Sequence, residues 1–131
     1  MIDPRPAPSA TPPDRTTPCA AVIIGLAVVT ALSYLPVLDA GFLNWDDPVY
    51  VSQNPAIRDF SWRTVVWAFT TFHEGIWHPL TWLSLALDHA VYGLDPRGFH
   101  LTNLLLHVAN TMLVFVTCSS QLAKTSGIGN S

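Results

Sequence analysis

Hydrophobic and polar positions divide the chain into four apolar stretches separated by polar joints. The first runs from Cys19 to Leu38 without a charged residue. Its 20 residues, at ~1.5 Å each, reach roughly 30 Å, the thickness of a hydrocarbon core. This predicts a transmembrane helix over residues 18–38. A cleaved signal peptide is the competing reading, but its apolar region would run only about 7–15 residues. Ala40, the best small cleavage residue, also has Leu38 where a second small residue is needed. The uncleaved anchor is preferred.

The next two stretches are shorter and periodic. Trp62, Val65, Val66, Phe69 and Phe72 fall at i, i+3, i+4, i+7 and i+10, the spacing of one helical face. Residues 61–72 are too short to span, and an aromatic amphipathic helix of this kind suits the plane of the membrane interface. Ser61 or Asp59 is placed to cap it. In 79–94, Leu80, Leu83, Leu87, Val91 and Leu94 share one face, while Thr81, Ser84 and Asp88 share another. Pro79 suits a first turn. Asp88 and His89 make this stretch a poor span, so a second interfacial helix is favoured over a short tilted span.

The fourth stretch, 99–118, is the second transmembrane candidate, since no formal charge lies between Arg97 and Lys124. His100, Asn103, His107 and Asn110 nevertheless form one polar stripe along it. Polar groups are costly in hydrocarbon, so the stripe is expected to face other helices or a water-filled cavity. Outside these stretches, 1–17 reads as a disordered, proline-rich cytosolic tail. Residues 39–98 form the external loop between the spans, broken by Pro48 and Pro55. Residues 119–131 read as a polar cytosolic loop.

Composition supports a membrane protein. Half the residues are apolar and 11% are charged, against roughly 25% charged in an average soluble domain. Five Trp and six Phe suit the membrane–water boundary. Arg5 and Arg15 precede the first span, and Asp39, Asp46 and Asp47 follow it. The positive-inside bias then puts the N-terminus in the cytosol. A net charge of -3 without a basic cluster excludes nucleic acid as a partner. Cys19 and Cys118 have no metal-ligand spacing and read as unpaired apolar residues near the cytosolic face.

Candidate chemistry centres on Asn44-Trp45-Asp46-Asp47-Pro48. Adjacent carboxylates can take a proton from an acceptor hydroxyl or ligate a divalent cation. Pro48 biases Asp47 toward an extended backbone, and Trp45 offers a face for a sugar or lipid chain. The plain alternative is an ordinary acidic turn. His73-Glu74 with His78 is not a zinc helix, because the histidines lie at i and i+5 with Gly75 between them rather than at i and i+4. His78 instead reads as a helix start and polar contact near the loop. His100 and His107 lie two turns apart and do not grip one iron together; interhelical hydrogen bonding suits them better.

The series Phe42-Leu43-Asn44-Trp45-Asp46-Asp47, Tyr50 and Asn54-Pro55-Ala56-Ile57 resembles the first external loop of a membrane-protein family. Its members join a multi-span N-terminal half to tetratricopeptide repeats. Trp77-His78-Pro79-Leu80-Thr81-Trp82-Leu83-Ser84, then Gly98 through His107, then Asn110-Thr111, continue the likeness in order over about residues 20–127. Animal members of the family are protein O-mannosyltransferases of the GT-C fold. The resemblance implies a polyprenyl-phosphate sugar donor, often mannose, and a protein Ser or Thr acceptor. It implies a catalytic carboxylate at Asp46 or Asp47, with Asn44, Trp45, Tyr50 and His78 as substrate-binding candidates. It also implies two lateral helices along the membrane.

No cofactor is assigned beyond a divalent cation as an option. A departing phosphate needs a cation, and Arg58 and Arg63 are the only nearby candidates. The family's later spans and repeats have no counterpart. The expected fold is therefore an all-α membrane protein, with two transmembrane helices and two amphipathic interfacial helices in the external loop. It reads as the N-terminal fragment of a larger GT-C enzyme, inactive alone and set in a bacterial inner membrane. The other reading is a small two-span anchor or interaction protein without enzymatic activity.

Overall fold

The computed structural model describes residues 16–128, so most of the proline-rich tail lies outside the described residues. Every regular element among them is helical. Helix α1 covers Thr16–Tyr34 and continues into a 3-10 turn at Leu35–Asp39, with Pro36 in its first turn. Helix α2 is Trp62–Thr70, α3 is Pro79–Tyr92, and α4 is Pro96–Ile128. Among the described residues, two segments are long and apolar enough to cross a membrane, Cys19–Asp39 and Pro96–Thr125. This is the architecture expected of a membrane protein.

Helix α4 starts on a clear local signal. The Asp95 carboxylate accepts the Arg97 N–H at 3.0 Å, and Pro96 follows where a missing N–H costs nothing. Its far end departs from the sequence reading, because residues 119–128 continue the helix instead of forming a loop. Gln121, Leu122, Ala123 and Lys124 are all good helix formers. The Ser120 and Thr125 hydroxyls fold back onto the carbonyls of Thr117 and Gln121, which occupies these polar groups locally.

Helices α1 and α4 pair antiparallel. The Tyr34 ring meets His107 edge-on at 4.7 Å, and Arg97 reaches Asp39 at 3.1 Å. That ion pair is exposed on both sides, so it contributes at most ~1 kcal/mol. The two contacts bring both ends of the connecting segment to one end of the helix pair.

Between them, residues 40–95 fold into a small knot around Trp82, which has no exposed surface. Val51, Ile57, Ala68, Ala86 and Phe99 complete this core. Phe42 packs edge-on against Phe99 at 5.5 Å and joins the start of the loop to α4. The α2–α3 contact combines Trp67 against Trp82 with small buried residues, Ala68 and Thr64 on α2 and Ala86 on α3. Most of the periodic apolar positions point the other way, although Leu83 packs against the core. Trp62 is 76% exposed and Leu80 75%, with Val66, Phe69, Phe72, Leu87 and Val91 also exposed.

The corner between α3 and α4 is tight. Gly93 takes φ +65, where side chains are rarely tolerated, and its N–H donates to the His89 carbonyl at 2.8 Å. A methyl group at Gly98 would lie 2.1 Å from Tyr92 Cγ, so this approach requires glycine. The α2–α3 connection turns through Glu74 at φ 52 and Gly75 at φ 76. It is closed by Trp77 Nε1 donating to the Phe69 carbonyl at 2.9 Å.

Candidate functional site: the acidic loop and its aromatic support

The acidic motif is a wound turn. Asp47 adopts helical angles, φ -57 and ψ -35, and not the extended backbone that Pro48 was expected to impose. Hydrogen bonds outweigh that steric bias. The Asp46 carbonyl accepts from Val49 at 3.0 Å and Tyr50 at 2.9 Å, and Pro48–Ser52 forms one wide π turn closed by Gln53 N–H on the Pro48 carbonyl. The Asp47 carboxylate is drawn in as well, accepting the Leu43 N–H at 2.6 Å. Charge-assisted bonds of this kind are short and comparatively strong.

The two carboxylates therefore have different surroundings. Asp47 is half-buried and clasped to the backbone, whereas Asp46 is exposed and among the described residues its side chain has no hydrogen-bond or ion-pair partner. Asn44 is exposed beside it, and Trp45, at 83% exposure, stands out into solvent.

Tyr50 and His78 are brought together. The Tyr50 ring stacks on His78 with centroids 5.7 Å apart and on Trp82 at 5.0 Å. Trp82 also contacts His78 at 4.6 Å, His73 at 5.2 Å and Trp67 at 5.2 Å. Aromatic pairs of this type add about 0.5–1.5 kcal/mol beyond burial. Tyr50 sits three residues beyond Asp47, so this ring stack fixes the acidic turn to the start of α3. The buried ring nitrogens His73 Nε2, His78 Nε2 and Trp82 Nε1 have no hydrogen-bond partner.

The loop is braced again beyond Tyr50. Asn54, 3% exposed, accepts the Ala56 N–H at 3.0 Å through its side chain and donates to the Tyr50 carbonyl at 3.4 Å. Arg58 donates to the carbonyls of Ser52 and Asn54 and contacts His89 Nε2 at 3.3 Å. Arg63 is exposed on α2 and makes no ion pair.

Three features escape the sequence reading. Trp82 is a hub, although its position in a Leu-rich helix looks like one more apolar residue. Arg58 is structurally engaged, which no local spacing reveals. Asp88, placed by periodicity on a polar face with Thr81 and Ser84, is buried at 6% exposure and accepts the Thr102 hydroxyl at 2.6 Å. Burial holds its carboxyl above the ordinary value of 3.8, with the Thr102 hydrogen bond opposing.

On α4, His100, Asn103 and His107 line a cleft of about 230 Å³ with Tyr34 and Val37 of the first span. The stripe continues through Asn110 into an open groove. Among the described residues, no three His, Cys, Asp or Glu side chains gather as a metal site. A divalent cation such as calcium takes six or more oxygens, and the acidic pair, with Asp47 clasped, is a poor donor set for one.

Comparison with known proteins gives one consistent similarity. The chain is 32% identical over 119 residues to the protein O-mannosyl-transferase Tmtc1 of Drosophila melanogaster, covering 81% of this chain and 14% of that protein. It is 33% identical over 100 residues to the protein O-mannosyl-transferase TMTC2 of Homo sapiens, covering 71% of this chain and 12% of that protein. A third relative, TMTC1 of Mus musculus, is 28% identical over 129 residues. The chain thus spans about one-seventh of the length of these curated relatives. No family model matches the chain, and no solved structure matches it.

Proposed function

We propose that this chain provides the first membrane hairpin and acidic loop of a GT-C glycosyltransferase. That enzyme would move a sugar, mannose by analogy with the relatives' names, from a polyprenyl-phosphate donor to a protein Ser or Thr hydroxyl. The observation that carries the reading is the asymmetry of the acidic pair. Asp46 is exposed and unpartnered, while Asp47 is clasped by the Leu43 N–H. A general base needs a free carboxylate within reach of the acceptor hydroxyl. Asp46 fills that role, and Asp47 holds the turn that presents it.

The surrounding residues take parts in the same reading. Trp45 is the exposed face against which a sugar or lipid chain packs. Tyr50 and His78 form the floor beneath the turn. The exposed apolar faces of α2 and α3 lie in the outer membrane interface, where aromatic rings settle. The N-terminus is cytosolic, the acidic loop is external and the membrane is a bacterial inner membrane. The charge of the departing phosphate is stabilised by groups outside this segment, so the segment alone does not transfer sugar.

The test uses a full-length protein containing the segment. Asp46→Asn should lower transfer by about 10²–10⁴-fold, the range for a general base, and leave membrane insertion unchanged. Asp47→Asn should cost less transfer but loosen the turn. Unchanged transfer in Asp46→Asn removes this residue from the mechanism.

A further inference from the structure

The guanidinium of Arg58 lies where the loop after the acidic turn meets the C-terminal half of α3. Its Nε donates to the Asn54 carbonyl at 3.3 Å, one Nη donates to the Ser52 carbonyl, and the other meets His89 Nε2 at 3.3 Å. Arginine carries donors only, so His89 Nε2 must accept and the ring proton sits on Nδ1. Ser52 is the last residue of the π turn that begins at Pro48 and that Gln53 N–H closes on the Pro48 carbonyl, and the Asp46 carbonyl accepts the Val49 and Tyr50 N–H groups. The segment is therefore pinned to α3 twice, by Tyr50 at His78 and Trp82 and by Arg58 at His89. The two sites, His78 just before α3 and His89 on it, are 11 residues apart, or roughly 16 Å along the helix axis.

We propose that Arg58 is a positioning residue that clamps the acidic loop onto α3 through the Ser52 and Asn54 carbonyls and His89, and that it is not a phosphate ligand. All three kinds of guanidinium nitrogen are already engaged, each on a geometrically distinct partner. Lysine, with one ammonium on a flexible stem, does not reproduce such a fork. The clamp sets where Asp46 sits relative to α3, and its functional meaning rests on the base role proposed above for Asp46.

The experiment uses the whole chain in phospholipid nanodiscs. Imidazole ¹⁵N spectra should show His89 as the Nδ1–H tautomer, and that signature should disappear in Arg58→Gln. Amide exchange at Val49, Tyr50 and Gln53 should quicken on the order of tenfold in the same variant, with α4 amides unchanged. His89→Gln, which keeps an acceptor, should preserve slow exchange, and His89→Leu should not. Arg58→Lys should restore it only in part. Unchanged tautomer and exchange in Arg58→Gln overturn the clamp.

If Arg58→Gln fails to fold, the two His89 variants decide alone, and equal exchange in both overturns the proposal. In a full-length transferase, Arg58→Gln should lower kcat and leave the donor KM unchanged. A raised donor KM with kcat intact would make Arg58 a phosphate ligand and overturn the clamp. Loss of sugar transfer in the unsubstituted protein, with the tautomer and exchange patterns as expected, would remove the glycosyltransferase reading and leave the clamp standing.

Discussion

At the scale of single residues, burial separates carboxylates that look alike in the sequence. Asp46 is exposed, Asp47 is clasped and Asp88 is interred beside Thr102. Asp88 has a raised folded-state pKa because burial disfavours its charged form. In the unfolded chain it returns to its ordinary value of 3.8. Between the two values the folded state binds more protons than the unfolded one, so stability falls as pH rises through that window. The expected outcome is that raising pH from about 3.8 destabilises the wild-type chain more than Asp88→Asn. The substitution keeps an acceptor for Thr102. Denaturation followed by Trp fluorescence across that range checks it, and parallel curves for the two proteins would place the ionisation elsewhere.

At the scale of elements, the apolar stripes of α2 and α3 are not the surfaces that hold the protein together. Ala68, Ala86 and Trp82 make the internal contact, and the stripes containing Trp62, Phe69, Phe72 and Leu80 remain exposed. Each large apolar side chain transferred out of water contributes roughly 1.5–3 kcal/mol. The interfacial placement proposed above for α2 and α3 would recover this energy. Lipids brominated near the headgroup should quench Trp62 fluorescence in a variant where it is the sole tryptophan outside the core. Phe69→Ser together with Phe72→Ser should reduce that quenching, while the helical content of the chain stays constant.

At the scale of the whole molecule, two long apolar helices pair antiparallel, with a compact loop at one end. In a variant lacking Cys19 and Cys118, which are both free and exposed, a cysteine at Gln53 should react with an impermeant maleimide from outside the cell. A cysteine at Lys124 should react only after the membrane is opened. Labelling of both from outside would break the hairpin topology. The polar stripe from His100 to Asn110 belongs to this scale as well, since the first span lines it at His100, Asn103 and His107 and its Asn110 end opens into a groove.

Some of this was determined by the sequence alone, through effects that act over a few residues. Uninterrupted apolar length marks both membrane-spanning candidates, because hydrocarbon thickness is a one-dimensional requirement. The motif order Asn44–Asp47, Trp77–Ser84 and Gly98–His107 points to the same relatives that the comparisons found. Other features were decided only by tertiary structure, because they depend on residues distant in the chain. The acidic turn is held in place because Tyr50 stacks on His78 and Trp82, far along the chain. Trp82 becomes a hub because Tyr50, Trp67 and His73 converge on it. Asp88 turns inward because Thr102 is waiting on α4. Helical periodicity distinguishes an apolar face from a polar one, but the choice of face to bury depends on what arrives from elsewhere. Here small residues and a single tryptophan admitted close packing, and the larger apolar faces were left outward.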